Sequence, residues 1–275
     1  MIDWRENPLL RRELLYRLRP SSPNRAVFVV VGLVVILAVV LLYWAALQSV
    51  RRTQNIYIFR DLLTLTLVIE TLLVVGGAPA ATANAVSRER EQRTWDLLTI
   101  TLLRPHEVVL GKLLGRTIPL FLLLLLGAPM VVLCIAFDPR LLVSALLGTL
   151  CVVVTLVFYS TAALAASCFS RKTVTATALA YLFAGAWVFG TLVLWGLTSL
   201  IFPSVGSREA TFWLAVNPFA VIEPTVTNYA SGGYSYSASD PLYVLSPWAL
   251  LVVYSGLTAL LLWVLISDYR HWAYR

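Results

Sequence analysis

Long apolar runs separated by short polar links constrain this chain more than any other feature. They cover residues of about 26–47, 62–85, 113–136, 141–169, 174–202 and 248–266. Each is near or above the ~20 residues that an α-helix needs to cross a hydrocarbon core of ~30 Å. A chain in a bilayer must satisfy its backbone hydrogen bonds internally, and a helix does so within one segment. The pattern therefore predicts an all-α polytopic membrane protein with six transmembrane helices. Composition agrees: 13% of the residues are charged and 59% are hydrophobic, whereas a soluble domain carries about 25% charged residues.

The links and the irregularities within the runs set further expectations. Residues 1–25 carry Asn7-Pro8, which suits a helix start, and Leu10, Leu14 and Leu18 on one face with Glu13 placed to pair with Arg17. They read as a basic amphipathic helix lying along the inner membrane surface. The first run ends on Tyr43 and Trp44, aromatic residues that suit an interface. It is too long for a signal core and no small-residue cleavage site follows, so it is expected to remain a span. The second run contains Glu70 and then Gly76, Gly77 and Pro79, which predict a kink. The third carries Pro119 and Pro129, and Asp138-Pro139 makes a tight turn after it. The fourth ends in a small-residue stretch, Ala162 to Ser167, suited to close helix packing. Arg171-Lys172 is a short turn. In the outer segment 203–246, Phe212 to Val216 and Phe219 to Ile222 are too short to span and read as interfacial or re-entrant helices. Tyr229, Gly232, Gly233, Tyr234, Tyr236 and Tyr243 then read as an irregular cap.

Net charge is +7. In so apolar a chain this points to inner loops and anionic lipid, with no nucleic acid as partner. With the amino terminus inside, sixteen of the twenty-one Lys and Arg fall on the inner side. Arg51, Arg52, Arg60, Arg140 and Arg208 fall outside. Both termini are thus expected in the cytoplasm. Cys134, Cys151 and Cys168 all lie within apolar runs and read as small packing residues, not as a disulfide or metal set.

The densest charge lies in residues 85–115, AVSREREQRTWDLLTITLLRPHEVVLGKLLG, between the second and third runs. Helix formers fill Arg88 to Leu98. Glu89 precedes Arg93 by four residues, the favourable order for a helical ion pair. Trp95, Leu98 and Leu102 fall on one face of such a helix. Pro105 ends it, and His106 and Glu107 open the next helix, which carries Lys112 and Arg116. A charged segment with a large apolar stripe, held between two spans, reads as a docking element.

This stretch resembles the permease subunits of ABC transporters of the ABC-2 type. Their loop carries Glu-x-x-x-Gly-Thr, an acidic residue, paired leucines, Thr-Pro, then Glu and Gly-Lys. Here Glu89, Thr94, Asp96, Leu97, Leu98, Thr101, Glu107, Gly111 and Lys112 stand in that order and spacing. Arg93 occupies the usual glycine position and Leu102 the usual proline. The resemblance implies that this loop is a coupling helix seated in a groove of a separate ATPase subunit. Glu89, Glu91, Arg93, Thr94, Trp95, Asp96, Leu97 and Leu98 would form the contact. It further implies a second permease chain, identical or not, around a translocation pathway in a bacterial inner membrane, with export as the direction.

Other chemistry is sparse. No G-x-x-x-x-G-K-[ST] loop occurs, so ATP is expected to bind the partner and the chain itself needs no cofactor. His106 and His271 form no metal pattern, and no G-x-S-x-G nucleophile elbow is present. Glu70 is the one carboxylate deep in a run. It is costly there and is a candidate for the translocation pathway; the alternative is a hydrogen-bonded glutamate packed between helices. The competing functions are a membrane-embedded lipid-modifying enzyme and a non-catalytic assembly protein.

Overall fold

In the computed structural model the described residues are 58–94, 104–201, 212–230 and 246–269, with nine more scattered between 29 and 48. They are mostly helical, with no strand among them. In chain order the main helices are α1 (Ile58–Thr82), α2 (Ser87–Glu91), α3 (Pro105–Leu124), α4 (Ala128–Phe137), α5 (Leu142–Phe169), α6 (Thr173–Ile201), α7 (Ile222–Ala230) and α8 (Ser246–Ser267), and residues 212–216 are helical as expected. Four helices, built on α1, α5, α6 and α8, are long and apolar enough to cross a membrane. A fifth crossing results if α3 and α4, bent by 41°, form one span. The expected leader helix, most of the first apolar run and most of the outer segment lie outside the described residues.

Several local expectations are corrected. Gly76, Gly77 and Pro79, where a kink is expected, lie within one continuous helix, and α1 runs on to Thr82 before a turn at residues 83–86. Pro79 lacks an N–H and loosens the ladder around it. The Tyr181 hydroxyl donates to the Gly76 carbonyl at 2.9 Å and so satisfies a main-chain acceptor near that weak point. In the third run Pro119 sits inside α3, and the break comes at residues 125–127. Gly127 and Pro129 cause it, since proline is favoured at the first turn of a helix and α4 begins there. Phe219 to Ala220 is turn, not helix, and α7 starts only at Ile222.

Helix α5 is the hub, packed against α1, α3, α6, α7 and α8. Between helices in lipid, close approach and packing replace the hydrophobic drive of water-soluble cores. Ala163 and Ala166 of the expected small-residue stretch supply part of it, packing with Ala83, just after α1, and Ala180 of α6. Further along, Gly148 of α5 lies so near Leu67 of α1 that a Cβ would collide with the leucine's Cδ1. An aromatic cluster of Phe158, Tyr159, Phe183, Trp187 and Tyr254 joins α5, α6 and α8. Two of its polar edges are bonded: Trp187 Nε1 donates to Tyr254 Oη at 3.0 Å, and that hydroxyl donates to the Val216 carbonyl at 2.9 Å. Asn217, fully buried, donates to Val188 O and Thr191 Oγ1 and accepts from the amides of Phe219 and Ala220. That network fixes the turn that leads into α7.

Candidate functional site at the basic end of the bundle

The short helix α2 is held from three sides. Val86 precedes it and has no side chain able to cap it. The cap comes instead from Ser167 of α5, whose Oγ accepts the amides of Val86 at 2.9 Å and Ser87 at 3.1 Å. These are donors that any helix start leaves without an intrahelical partner. Arg90 reaches the other way, donating to the carbonyls of Cys168 at 2.7 Å and Ser170 at 3.2 Å at the end of α5. Glu91 accepts from both the amide and the hydroxyl of Thr173, at 2.8 and 2.9 Å, at the start of α6. A carboxylate there also meets the positive end of a 29-residue helix.

Helix α3 closes the remaining side. Its start is ordered as expected: Pro105 is at the first helical position, and Glu107 Oε2 accepts the Arg104 amide at 2.9 Å. Lys112 is 1% exposed and makes an ion pair with Glu89 at 2.7 Å, with a further bond to the Ala85 carbonyl at 3.2 Å. Arg116 donates to the Ala81 carbonyl and to Asn84 Oδ1. Thus the ammonium and guanidinium on α3 satisfy carbonyls that the turn after α1 leaves open.

The helix expected from Arg88 to Leu98 ends at Glu91, and the expected Glu89 to Arg93 pair does not form. Two facts account for this. Glu89 is taken by Lys112, and Arg93 leaves the helix with φ of 56°. The Arg93 amide donates to Arg90 O and the Thr94 amide to Glu89 O, at 3.0 and 2.9 Å. That pair of bonds is a Schellman turn, whose left-handed position glycine fills most readily. An L-residue other than glycine costs about 1–2 kcal/mol in that region. Thr94 adds a hydroxyl bond to Glu89 O at 3.2 Å.

Of the residues expected to contact an ATPase, Glu89 is held against Lys112 within the bundle's end, whereas Glu91 is bonded to Thr173 and stays exposed. Arg93 and Thr94 are exposed. Trp95, Asp96, Leu97 and Leu98 lie outside the described residues. The expectations from sequence missed Ser167, Arg90 and Thr173. Thr173 had a signal, since threonine at a helix start is a frequent cap. Ser167 had none beyond its place in a run of alanines. An open groove of about 600 Å³ lies between α2 and α6, lined in part by Arg88, Gln92, Val174 and Tyr181.

Glu70 lies elsewhere, midway along α1. It is 6% exposed, and among the described residues no ion pair reaches it. Its carboxyl occupies the notch left by Gly127, where a Cβ would collide with Oε1. The carboxyl thus sits against the bend between α3 and α4. No protein-family model matches the chain, and no curated protein matches it.

Proposed function

We propose that the chain is the permease subunit of an ABC-2 type transporter. In this reading it has six spans, with both termini and the α2 end in the cytoplasm of a bacterial cell. Two permease chains form a pathway for export of a substrate, and separate ATPase subunits bind and hydrolyse ATP. The segment from α2 through residue 104 is the coupling element, and closure of the ATPases rocks the spans between inward- and outward-open states.

The observation that carries the reading is the turn at Arg93. The resemblance aligns Arg93 with a glycine on sequence order alone, and the left-handed φ of 56° falls on that residue. The alignment thus gains a physical reason: the family residue is the one this backbone favours. The ion pair between Glu89 and Lys112 supports the same alignment, because it joins the two ends of the motif.

The test is co-expression with the ATPase encoded by a neighbouring gene that carries a phosphate loop. The two should co-purify, and ATP turnover should require the ATPase chain. An isolated permease that hydrolyses ATP after contaminants are removed would sink the reading. Orientation is tested with an impermeant thiol reagent on intact cells, in a background without the native cysteines. Ser235→Cys should label and Gln92→Cys should not. Gln92 is chosen because it is exposed, whereas Ser87 is buried.

A further inference from the structure

We propose that the groove between α2 and α6 seats one phospholipid with a zwitterionic headgroup of the phosphoethanolamine kind. Arg88 receives the phosphate and Glu91 the ammonium. The first turns of α6 receive the start of an acyl chain. This goes beyond the permease reading and does not depend on it; it needs only that the long apolar helices lie in a bilayer.

Charge is the first observation. Arg88 and Glu91 stand three residues apart on α2, which makes them neighbours on one helical face. Both are exposed, and both line the groove. Yet among the described residues no ion pair joins them. The Glu91 oxygens are turned instead to the amide and hydroxyl of Thr173, at 2.8 and 2.9 Å. A carboxylate has about four lone-pair sites, so roughly two stay open to a further donor. The groove thus offers one cation and one anion, side by side and unjoined. A ligand carrying both charges close together matches it. The planar guanidinium of Arg88 suits a phosphate. A primary ammonium brings N–H donors to Glu91, whereas a quaternary one brings none and is held best among aromatic rings. A headgroup of purely negative charge would meet Glu91 as well as Arg88, and like charge disfavours it.

Depth is the second observation. Helix α6 has 29 residues. At 1.5 Å per residue it is about 43 Å long, close to the ~40–45 Å of a bilayer with its headgroups. Its start at Thr173 therefore lies at headgroup level. Tyr181, eight residues on, lies about 12 Å deeper, past a headgroup layer of about 5–8 Å. Val174, Ala178 and Tyr181 share one face of α6 and line the groove below the charges. The Tyr181 hydroxyl is bonded to the Gly76 carbonyl, so the groove meets mainly its ring. Val174 is 77% exposed, and Leu182 just beyond is 67% exposed, as on a surface that faces lipid. Polar groups thus stand where a headgroup lies, and apolar ones where its chain begins. A soluble partner reaches the charges but not the apolar floor; a lipid reaches both. The volume of about 600 Å³ is within the ~300–1,000 Å³ of ordinary ligand sites.

The experiment is native mass spectrometry of the full chain in detergent. It is titrated with phosphatidylethanolamine, phosphatidylcholine or phosphatidylglycerol of identical acyl chains. One phosphatidylethanolamine should bind roughly tenfold more tightly than either other lipid, as one extra charge-assisted contact would give. Arg88→Gln should remove most of that preference, and Glu91→Gln should bring phosphatidylethanolamine down to the level of phosphatidylglycerol. Glu91 also holds the start of α6, so its variant is read only if it melts like wild type. The side chains of Arg88 and Ala178 make no described hydrogen bond, and their variants carry the test independently. Ala178→Phe fills the floor without touching a charge and should abolish the tight site for all three lipids. Equal binding of the three lipids by the wild type would overturn the inference, as would tighter binding of phosphatidylglycerol. A preference that survives both Arg88→Gln and Ala178→Phe would also overturn it, and would leave the groove to another occupant, a segment of this chain or a protein partner.

Discussion

Two sites of charge among the described residues are treated in opposite ways. At the basic end, Glu89, Arg90, Glu91, Lys112 and Arg116 each have a partner drawn from a different element. Most of those partners are main-chain groups left open by the ends of α1, α5 and α6. Midway along α1, Glu70 is as well buried, yet its carboxyl rests against a glycine with no ion pair among the described residues. The first set solves a structural problem: several helix ends converge, and their orphan groups need partners where water is scarce. The second solves no such problem that the structure displays. The contrast assigns the clustered charges to architecture, although clustered charge is what draws the eye in the sequence. The isolated acid is left as the residue whose role the packing does not explain.

The largest expected effect tests the architectural half. Lys112→Met removes one member of a buried ion pair and strands the other. Breaking such a pair costs ~3–5 kcal/mol when both groups are buried. Glu89 retains 22% of its side-chain surface, so a loss of about 2–3 kcal/mol in unfolding free energy is expected. Adding Glu89→Gln should recover part of it, because no charge is then stranded. Chemical denaturation in micelles measures both. If Lys112→Met alone costs less than about 0.5 kcal/mol, the pair is not structural and the contrast fails.

Gly127→Ala tests the other half. The added methyl meets the Glu70 carboxyl at a distance no native Cβ shows. Overpacking of this kind costs ~1–3 kcal/mol. Glu70→Ala in the same chain should relieve it, whereas Glu70→Gln should not, since glutamine keeps the shape. If the carboxyl also serves the pathway, Glu70→Gln alone should depress transport in a complex that still assembles. An additive Gly127→Ala and Glu70→Ala pair would show that the two residues do not touch.

The spans were legible in the sequence because their signal is gross: composition and length suffice. Helices α5, α6 and α8 fall within two residues of the apolar runs. The Arg104 to Glu107 helix start was legible too, since proline and a glutamate at the third position act locally. What could not be read was set by distant partners. The sequence cannot say that Ser167 caps a helix eighty residues earlier, because an isolated serine in an alanine run has the same appearance whatever it bonds. Helix propensity carried the expected helix past Glu91 for a related reason. Propensity is a weak local preference, and the claim of Lys112 on Glu89 overrode it.

The smallest effect bears on the boundary between the two kinds of charge, because Arg93 adjoins the clamped residues yet has no described partner of its own. Arg93→Gly changes two terms of opposite sign. Relief of the left-handed backbone is worth ~1–2 kcal/mol. Glycine also enlarges the conformational freedom of the unfolded chain, which takes back ~0.4–1 kcal/mol. The net expectation is a gain of about 0.5–1 kcal/mol, confined to the end of α2. Hydrogen exchange of the Arg93 and Thr94 amides reads it directly, since both close the Schellman turn. Slower exchange in Arg93→Gly would place the arginine outside the clamp, as a residue kept there despite its backbone. Faster exchange, with a drop in overall stability, would mean that the guanidinium belongs with Lys112 and Arg90 among the charges that hold the end together.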